Sequence, residues 1–246
     1  MSTVVQSADK QVTDTGEAEV MSFTGHLEVL RQCIIKVLLA AVAGMAVSYF
    51  LIDGMIGILT APAGKLYYMR PAEAFFIYLK IGVAGGIVLA SPLIFYQFWS
   101  FVLPAFTAKA RWLVTLLVLA SVTLFVGGLL FAYFCVLPLG LTFFLGFDSE
   151  YVQSMLSMEN YVDFVFMLLF PFGIIFELPL FLIVFAWLDI ISSRLLIFWR
   201  KYVVLLIFVI AAVITPPDVV SQILMAVPML LLYELSILFI RYILKK

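Results

Sequence analysis

The chain has 246 residues, of which 65% are hydrophobic and only 12% are charged, and its formal net charge is −1. Soluble globular domains average about 45–50% apolar and about 25% charged residues, so this composition excludes a water-soluble domain and predicts a polytopic membrane protein. The near-zero net charge gives no indication of a nucleic-acid partner, and none is expected.

Residues 1–22 are polar and acidic, and they lack the basic and apolar regions of a secretory signal. We expect them to form a flexible tail, followed by a single membrane domain at 23–243 and a short basic tail at 244–246. The two cysteines, Cys33 and Cys135, lie in apolar surroundings and are expected to be buried thiols rather than a disulfide.

Six apolar segments approach the length of about 17–25 residues that a membrane-spanning helix needs. Lipid offers the backbone no hydrogen-bond partners, and the segments lack the period-two alternation of a membrane barrel, so all six are predicted to be α-helices. They lie at 33–52, 74–98, 112–137, 161–188, 202–214 and 219–240. The predicted fold class is therefore all-α.

Lysines and arginines are distributed unevenly between the two sides of these segments. Eleven of the fourteen lie at one set of ends, namely Lys10, Arg31, Lys36, Lys109, Arg111, Arg194, Arg200, Lys201, Arg241, Lys245 and Lys246. The opposite loops hold only Lys65 and Arg70, while Lys80 lies inside the second segment. The positive-inside rule therefore predicts that both termini are cytoplasmic.

The fifth segment, at 202–214, would be only about 20 Å long as a helix, against a hydrocarbon core of about 30 Å. Pro216 and Pro217 end it, and Asp218 is a good N-cap for the next helix. Either this hairpin sits low in the bilayer or thins it, or residues 195–199 also enter the membrane and restore the length.

No signature of an enzyme is present. The chain has one histidine, His26, and it contains no HExxH, no GxSxG and no glycine-rich phosphate loop. Asp163 and Asp189 lie near opposite ends of the fourth segment, too far apart to act as a dyad. We therefore expect neither catalysis nor a bound cofactor or metal.

Two stretches at the predicted cytoplasmic ends are candidates for a binding surface. GHLEVLRQC, at 25–33, is either an amphipathic entry into the first helix or a docking site. SPLIFYQFWSFVLPAFTAKAR, at 91–111, is rich in aromatic residues, which are common at membrane interfaces in any case.

Ionisable residues inside the predicted helices form the second group of candidates. Glu177 lies between Pro171 and Pro179, where a kinked helix is expected. A carboxylate in the membrane costs about 2.5–3.5 kcal/mol on insertion scales, so Glu177 either hydrogen-bonds across helices or marks a functional site. Lys80 either extends its ammonium group outward to the membrane interface or points inward at a partner such as Glu177. For Glu234, extension of the side chain to the cytoplasmic interface is the simplest interpretation.

Thr215, Asp218, Ser221 and Gln222 make a polar cluster in TPPDVVSQ, at the non-cytoplasmic end of the last hairpin. Helix capping explains Asp218 but does not explain Gln222.

Taken together, these motifs resemble the TatC family, the multi-spanning core subunit of the twin-arginine protein translocase. HLEVLR at 26–31 is similar to the family's HLxELR, and PAEAF at 71–75 with Lys80 is similar to the start of its second span. The block from Ser91 to Pro104, GLLFAYFCVLPLGLTFF, FGIIFELP and TPPDVVSQ follow in the family's order. The resemblance covers residues 21–243.

The resemblance implies a glove-shaped, concave bundle of six spans in the cell membrane. It implies a receptor for folded precursors with Arg-Arg signal peptides, which works with single-span TatA and TatB subunits and with further copies of itself, driven by the proton-motive force. The residues it assigns to signal-peptide binding are Leu27, Glu28, Leu30, Arg31, Phe101 and Pro104. Glu177 matches the family's membrane-embedded glutamate, and Thr215, Asp218 and Gln222 match a hairpin that contacts the partner helices.

Two positions depart from the family pattern. Val29 stands where a glutamate is expected before Leu-Arg, and Glu28 lies one residue earlier, about 100° around the helix. Ala110 stands where a loop glutamate is expected. We therefore expect weak or altered arginine recognition, with Glu28 as the main anion.

Two other functions are compatible with ionisable residues in the membrane. One is a proton-coupled secondary transporter of a small solute, which predicts a repeat-related pair of broken helices that the sequence does not display. The other is a purely structural subunit in which the charges are packing features.

Overall fold

The computed structural model describes residues 23–102, 110–146, 155–215 and 218–245. The tail predicted at 1–22 lies outside these ranges, as does Lys246. Within them the backbone is almost entirely helical, and extended segments meet only in a parallel bridge between Tyr67 and Ser157.

The helices are α1 (Phe23–Phe50), α2 (Ile52–Thr60), α3 (Pro71–Val102), α4 (Ala110–Phe131), α5 (Leu137–Leu145), α6 (Met158–Ile175), α7 (Leu178–Trp187), α8 (Ser193–Ile214) and α9 (Val219–Phe239). A π-helical turn at Ala132–Val136 joins α4 to α5, and another at Ile240–Leu244 follows α9. These elements give six helical segments that are long and apolar enough to cross a membrane. The prediction of an all-α fold with six spans is confirmed.

Six antiparallel spans place the start of α1 and the end of α9 at the same end of the molecule, which we call the terminal end. The distal end is the opposite one, where α1 ends and where α3, α6 and α9 begin.

The third span is longer than the sequence predicts. The predicted end at 137 is wrong, because the helix continues through the π-helical turn to Leu145. Pro138 has no N–H and cannot continue an α-helical ladder. The wider π-helical turn before it, in which the Leu137 N–H bonds to the Ala132 carbonyl five residues back, lets the helix continue.

The fifth span is not short. Helix α8 has 22 residues and starts at Ser193, where the Ser192 side chain caps it by accepting a hydrogen bond from the Leu195 N–H. Residues 195–199 therefore belong to the same helix. At 1.5 Å per residue its length is about 33 Å, enough to cross a hydrocarbon core of about 30 Å.

The helices pack as an open row. Helix α1 packs on α3, α3 on α4 and α4 on α6, whereas α9 lies between α7 and α8. Helices α1 and α8 form the edges, and only 6% and 11% of their spanning residues are buried. An open row fits the concave shape that the family resemblance implies.

Glycines permit the closest helix crossings. A Cβ atom on Gly86 of α3 would lie 2.6 Å from the backbone nitrogen of Met45 on α1, and one on Gly128 of α4 would lie 2.5 Å from the Phe172 carbonyl oxygen on α6. Gly127 has open space beside it. Helices thus approach each other closely at Gly86 and Gly128 but not at Gly127.

The distal end is fastened by a buried carboxylate at the start of α3. Glu73 accepts hydrogen bonds from the backbone N–H groups of Met69 at 2.7 Å, Arg70 at 3.2 Å and Glu159 at 3.0 Å, and from the Ser157 hydroxyl at 2.8 Å. These bonds join the connection before α3 to the start of α6.

Candidate functional site

Glu177 lies at a break between α6 and α7. Pro179 has no N–H to donate to the carbonyl of Ile175, four residues earlier, so the α-helical ladder is interrupted there. The Glu177 N–H instead bonds to the Ile174 carbonyl at 3.1 Å. The predicted kink is confirmed, and it projects the carboxyl group from the bend.

The Glu177 side chain is buried, with 2% exposure. Neither of its oxygens has a hydrogen-bond partner among the described residues. The Ser121 side chain and the Phe125 backbone of α4 face the carboxyl group without reaching hydrogen-bond geometry. A polar group buried in apolar surroundings costs free energy unless it is hydrogen-bonded, so this carboxyl group has unused capacity for a partner.

A cavity of about 280 Å³ adjoins Glu177. Its walls come from α3, α4, α6 and α7, and they include Ile94, Phe98, Phe170 and Phe181. The lining is apolar apart from Glu177 and Ser91, whose hydroxyl donates to the Val88 carbonyl at 2.7 Å. Among the described residues that line this cavity, Glu177 is therefore the one ionisable group.

Two further grooves share residues with this cavity and extend it along α3. The groove towards the distal end has a volume of about 340 Å³ and shares Phe170 with the cavity. The groove towards the terminal end has a volume of about 260 Å³ and shares Ile94 and Phe98 with the cavity. The three cavities follow one another along α3, and we call them together the α3 groove. Glu177 lies on the wall of its middle part.

The residues predicted to bind a signal peptide lie partly at the terminal end of the α3 groove. Leu30 on α1 and Phe101 on α3 both line its last section. Leu27 is half exposed on the first turns of α1. The Pro104 prediction lies outside the described residues.

The two predicted charged residues of this site pair with each other. Glu28 and Arg31 are exposed on α1, and an Arg31 nitrogen lies 3.5 Å from a Glu28 oxygen. The Gln32 side chain also donates to Glu28, at 3.4 Å. Exposed pairs of this kind contribute only about 0.2–1 kcal/mol, so Glu28 remains available to another cation.

Lys80 does not meet Glu177. Its ammonium nitrogen lies 2.6 Å from an Asp163 oxygen and 3.8 Å from a Glu159 oxygen, both on α6 near the distal end. The possibility that Lys80 pairs with Glu177 is wrong, because Lys80 lies on the side of α3 that faces the start of α6. The sequence contained Asp163 but gave no sign that α3 and α6 are neighbours.

Glu234 is also held by a partner. Its carboxylate accepts two hydrogen bonds from the Arg200 guanidinium of α8. The snorkelling interpretation of Glu234 is therefore incomplete, since this pair fastens α8 to α9.

The polar cluster of the last hairpin is held by hydrogen bonds within the chain. Asp218 caps α9 by accepting from the Ser221 N–H at 2.7 Å, as predicted. Gln222, which capping left unexplained, donates to the Phe208 carbonyl at 3.0 Å, and Thr215 donates to the Ala211 carbonyl at 2.8 Å. Their contact with partner helices remains a prediction.

The chain is similar to translocase proteins over most of its length. A family model described as Sec-independent protein translocase protein (TatC) matches residues 25–228. The TatC protein of Desulforapulum autotrophicum is 41% identical over 237 residues, which cover 94% of this chain and 88% of the relative. That of Carboxydothermus hydrogenoformans is 40% identical over 232 residues, which cover 92% and 96%.

A solved structure has the same fold. The crystal structure of the twin-arginine translocase receptor TatC in DDM matches with a TM-score of 0.80 at 40% sequence identity, covering 87% of this chain and 99% of that one.

Proposed function

The chain belongs to the TatC family of Sec-independent protein translocase proteins, and we propose that in such a translocase it is the receptor for Arg-Arg signal peptides. As a family member it is a multi-pass membrane protein and a component of a protein translocase, a class not known for enzymatic activity. The secondary-transporter alternative is not favoured by these relationships.

The observation that carries the proposal is the terminal section of the α3 groove. Leu30 and Phe101, which are 71 positions apart in the sequence, line one apolar surface there. A signal peptide has an apolar segment next to its arginines. This surface offers apolar side chains, and the exposed Glu28 lies two residues before Leu30 on α1, about 200° around the helix axis. The combination suits both parts of such a ligand.

Glu28 is the proposed anion for the arginine pair. Guanidinium groups bind carboxylates through paired hydrogen bonds, and an incoming arginine can replace the weak contact with Arg31. Since Val29 and Ala110 stand at the expected glutamate positions, recognition rests on fewer carboxylates than in the family pattern.

The remaining parts of the proposal concern the assembly. We place the protein in the cytoplasmic membrane with both termini in the cytoplasm, which the lysine and arginine distribution supports. Its partners are single-span subunits of the TatA and TatB type, further copies of this chain and folded precursors, and the proton-motive force drives transport. Thr215, Asp218 and Gln222 form the proposed partner-helix surface, and Glu177 meets a polar group of a partner within the α3 groove.

Photo-crosslinking tests the receptor role directly. A photoreactive residue at Leu30 or Phe101 should crosslink to a precursor with an Arg-Arg signal, and crosslinking should drop when Lys-Lys replaces the pair. The matched control is Leu39, which is 64% exposed on the same helix as Leu30 and does not line the groove. Equal crosslinking at all three positions, or no dependence on the arginines, would reject the proposed site.

A further inference from the structure

Ser121, on α4, lies opposite Glu177 and is completely buried. On one side of this pair Phe125 of α4 packs against Gly173 of α6, and on the other side Leu117 of α4 clusters with Leu180 and Val184 of α7. The serine therefore lies within the packing of α4 against α6 and α7, at the level of the carboxyl group.

The Ser121 oxygen is already an acceptor. The indole nitrogen of Trp99, on α3, donates to it at 2.8 Å, and Trp99 is itself completely buried. An indole can only donate, so the serine hydroxyl proton must go to a different group.

A backbone carbonyl is the usual alternative acceptor for a helical hydroxyl. Thr123 donates in this way to the Leu119 carbonyl at 2.8 Å, and Ser236 donates to the Leu232 carbonyl at 2.6 Å. Among the described residues Ser121 makes no such bond. Its proton is therefore left for the carboxyl group that it faces.

We propose that Ser121 and Trp99 are positioning residues for Glu177: the indole fixes the serine oxygen, and the serine hydroxyl donates to one carboxyl oxygen after a small side-chain rotation. A carboxyl group has two oxygens, and one hydroxyl satisfies only one of them. The second oxygen keeps no hydrogen-bond partner among the described residues and is left for the partner described above. This inference rests on the proposed function only for the identity of that partner.

The arrangement links two regions of the molecule. Trp99 stacks on Phe181 with ring centroids 5.4 Å apart, and it contacts Phe98, which lines both the Glu177 cavity and the terminal section of the α3 groove. Phe98, Trp99 and Ser121 thus contact one another in series beside Glu177.

Infrared spectroscopy of the purified full-length protein tests the inference. The C=O stretch of the protonated Glu177 carboxyl group is assigned by its loss in Glu177→Gln. In Ser121→Ala this band should move to higher frequency, because a donor to the carboxyl oxygen has been removed. In Trp99→Phe, which keeps an aromatic ring, it should broaden and move less, since the hydroxyl remains but is no longer fixed. Thr123→Val, two positions along the same helix, should leave the band unchanged.

Export of a folded Arg-Arg reporter gives the second readout. Ser121→Ala should lower the export rate about two- to tenfold, the range expected for one hydrogen bond. An unchanged Glu177 band in folded Ser121→Ala overturns the inference, and if that variant does not fold, an unchanged band in Trp99→Phe does so. If the wild-type chain does not export the reporter, the proposed function is refuted, independently of the frequency of the Glu177 band.

Discussion

Glu73 and Glu177 are both almost fully buried, yet their carboxyl groups have opposite surroundings. Glu73 accepts four hydrogen bonds at the distal end, whereas neither oxygen of Glu177 has a partner among the described residues. Leaving a buried polar group unsatisfied costs about 1–3 kcal/mol. Glu73 thus stabilises the fold, and Glu177 is retained at the expense of stability, which indicates a function.

Replacing Glu73 with alanine should destabilise the protein. The three N–H groups and the serine hydroxyl that bond to it would lose a charged acceptor, so the free energy of unfolding should fall. Thermal unfolding in detergent measures the effect as a lower Tm. Asp53→Asn, an exposed acid in the first turn of α2, is the control and should leave the Tm unchanged.

The charge on Glu28 should matter for signal-peptide binding rather than for folding. Glu28→Ala should weaken crosslinking to an Arg-Arg precursor, while Gln32→Ala, which keeps the carboxylate, should not. Ala110→Glu should strengthen binding, because it restores a carboxylate at the position where the family pattern has one. Unchanged crosslinking in Glu28→Ala would remove Glu28 from the site.

At the residue scale the sequence predicted which side chains are unusual but not what they contact. Glu177 stands out as a carboxylate in an apolar segment between two prolines. The partner of Lys80 is Asp163, 83 positions away on α6. Which acidic residue Lys80 meets depends on how α3 is rotated about its axis. No single-sequence pattern fixes that rotation, so the pairing could not be predicted.

At the scale of the helices, glycine decides where two of them can cross. Gly127 and Gly128 are neighbours on α4, but only Gly128 faces the backbone of α6. Both are small residues within the third span, and only the rotation of α4 about its axis decides which of them meets α6.

Gly128→Ala should therefore destabilise the α4–α6 crossing, and Gly127→Ala should not. The added Cβ of Gly128→Ala meets the Phe172 carbonyl oxygen at 2.5 Å, and such overpacking typically costs about 1–3 kcal/mol. Gly127→Ala has open space and should gain up to about 1 kcal/mol in helix propensity. Thermal unfolding of the two variants side by side checks this difference, and equal Tm values would contradict the observed crossing.

The end of a helix can be predicted from the sequence where a single capping residue or proline determines it. Asp218 was identified as the cap of α9 from the sequence. The end of the third span was misplaced because a π-helical turn accommodates Pro138, and periodicity does not reveal such a turn. The start of α8 was left open because Arg200 and Lys201 interrupt its apolar run, and only the cap at Ser192 settles it.

At the scale of the whole molecule, the open row of helices creates the α3 groove beside the buried carboxyl group of Glu177. The groove runs from the proposed signal-peptide residues Leu30 and Phe101 past Glu177 towards the distal end. It can therefore bring a bound segment and the carboxyl group together within the membrane.

Export of a folded Arg-Arg reporter, in a host that lacks its own TatC-family protein, tests this account most directly. The wild-type chain should restore export, Glu177→Gln should keep much of it because the amide still forms hydrogen bonds, and Glu177→Ala should lose most of it. Detergent-extracted amounts and Tm values of the three proteins control for folding. Full and equal export by both variants would contradict the claim that a polar partner meets Glu177 inside the groove.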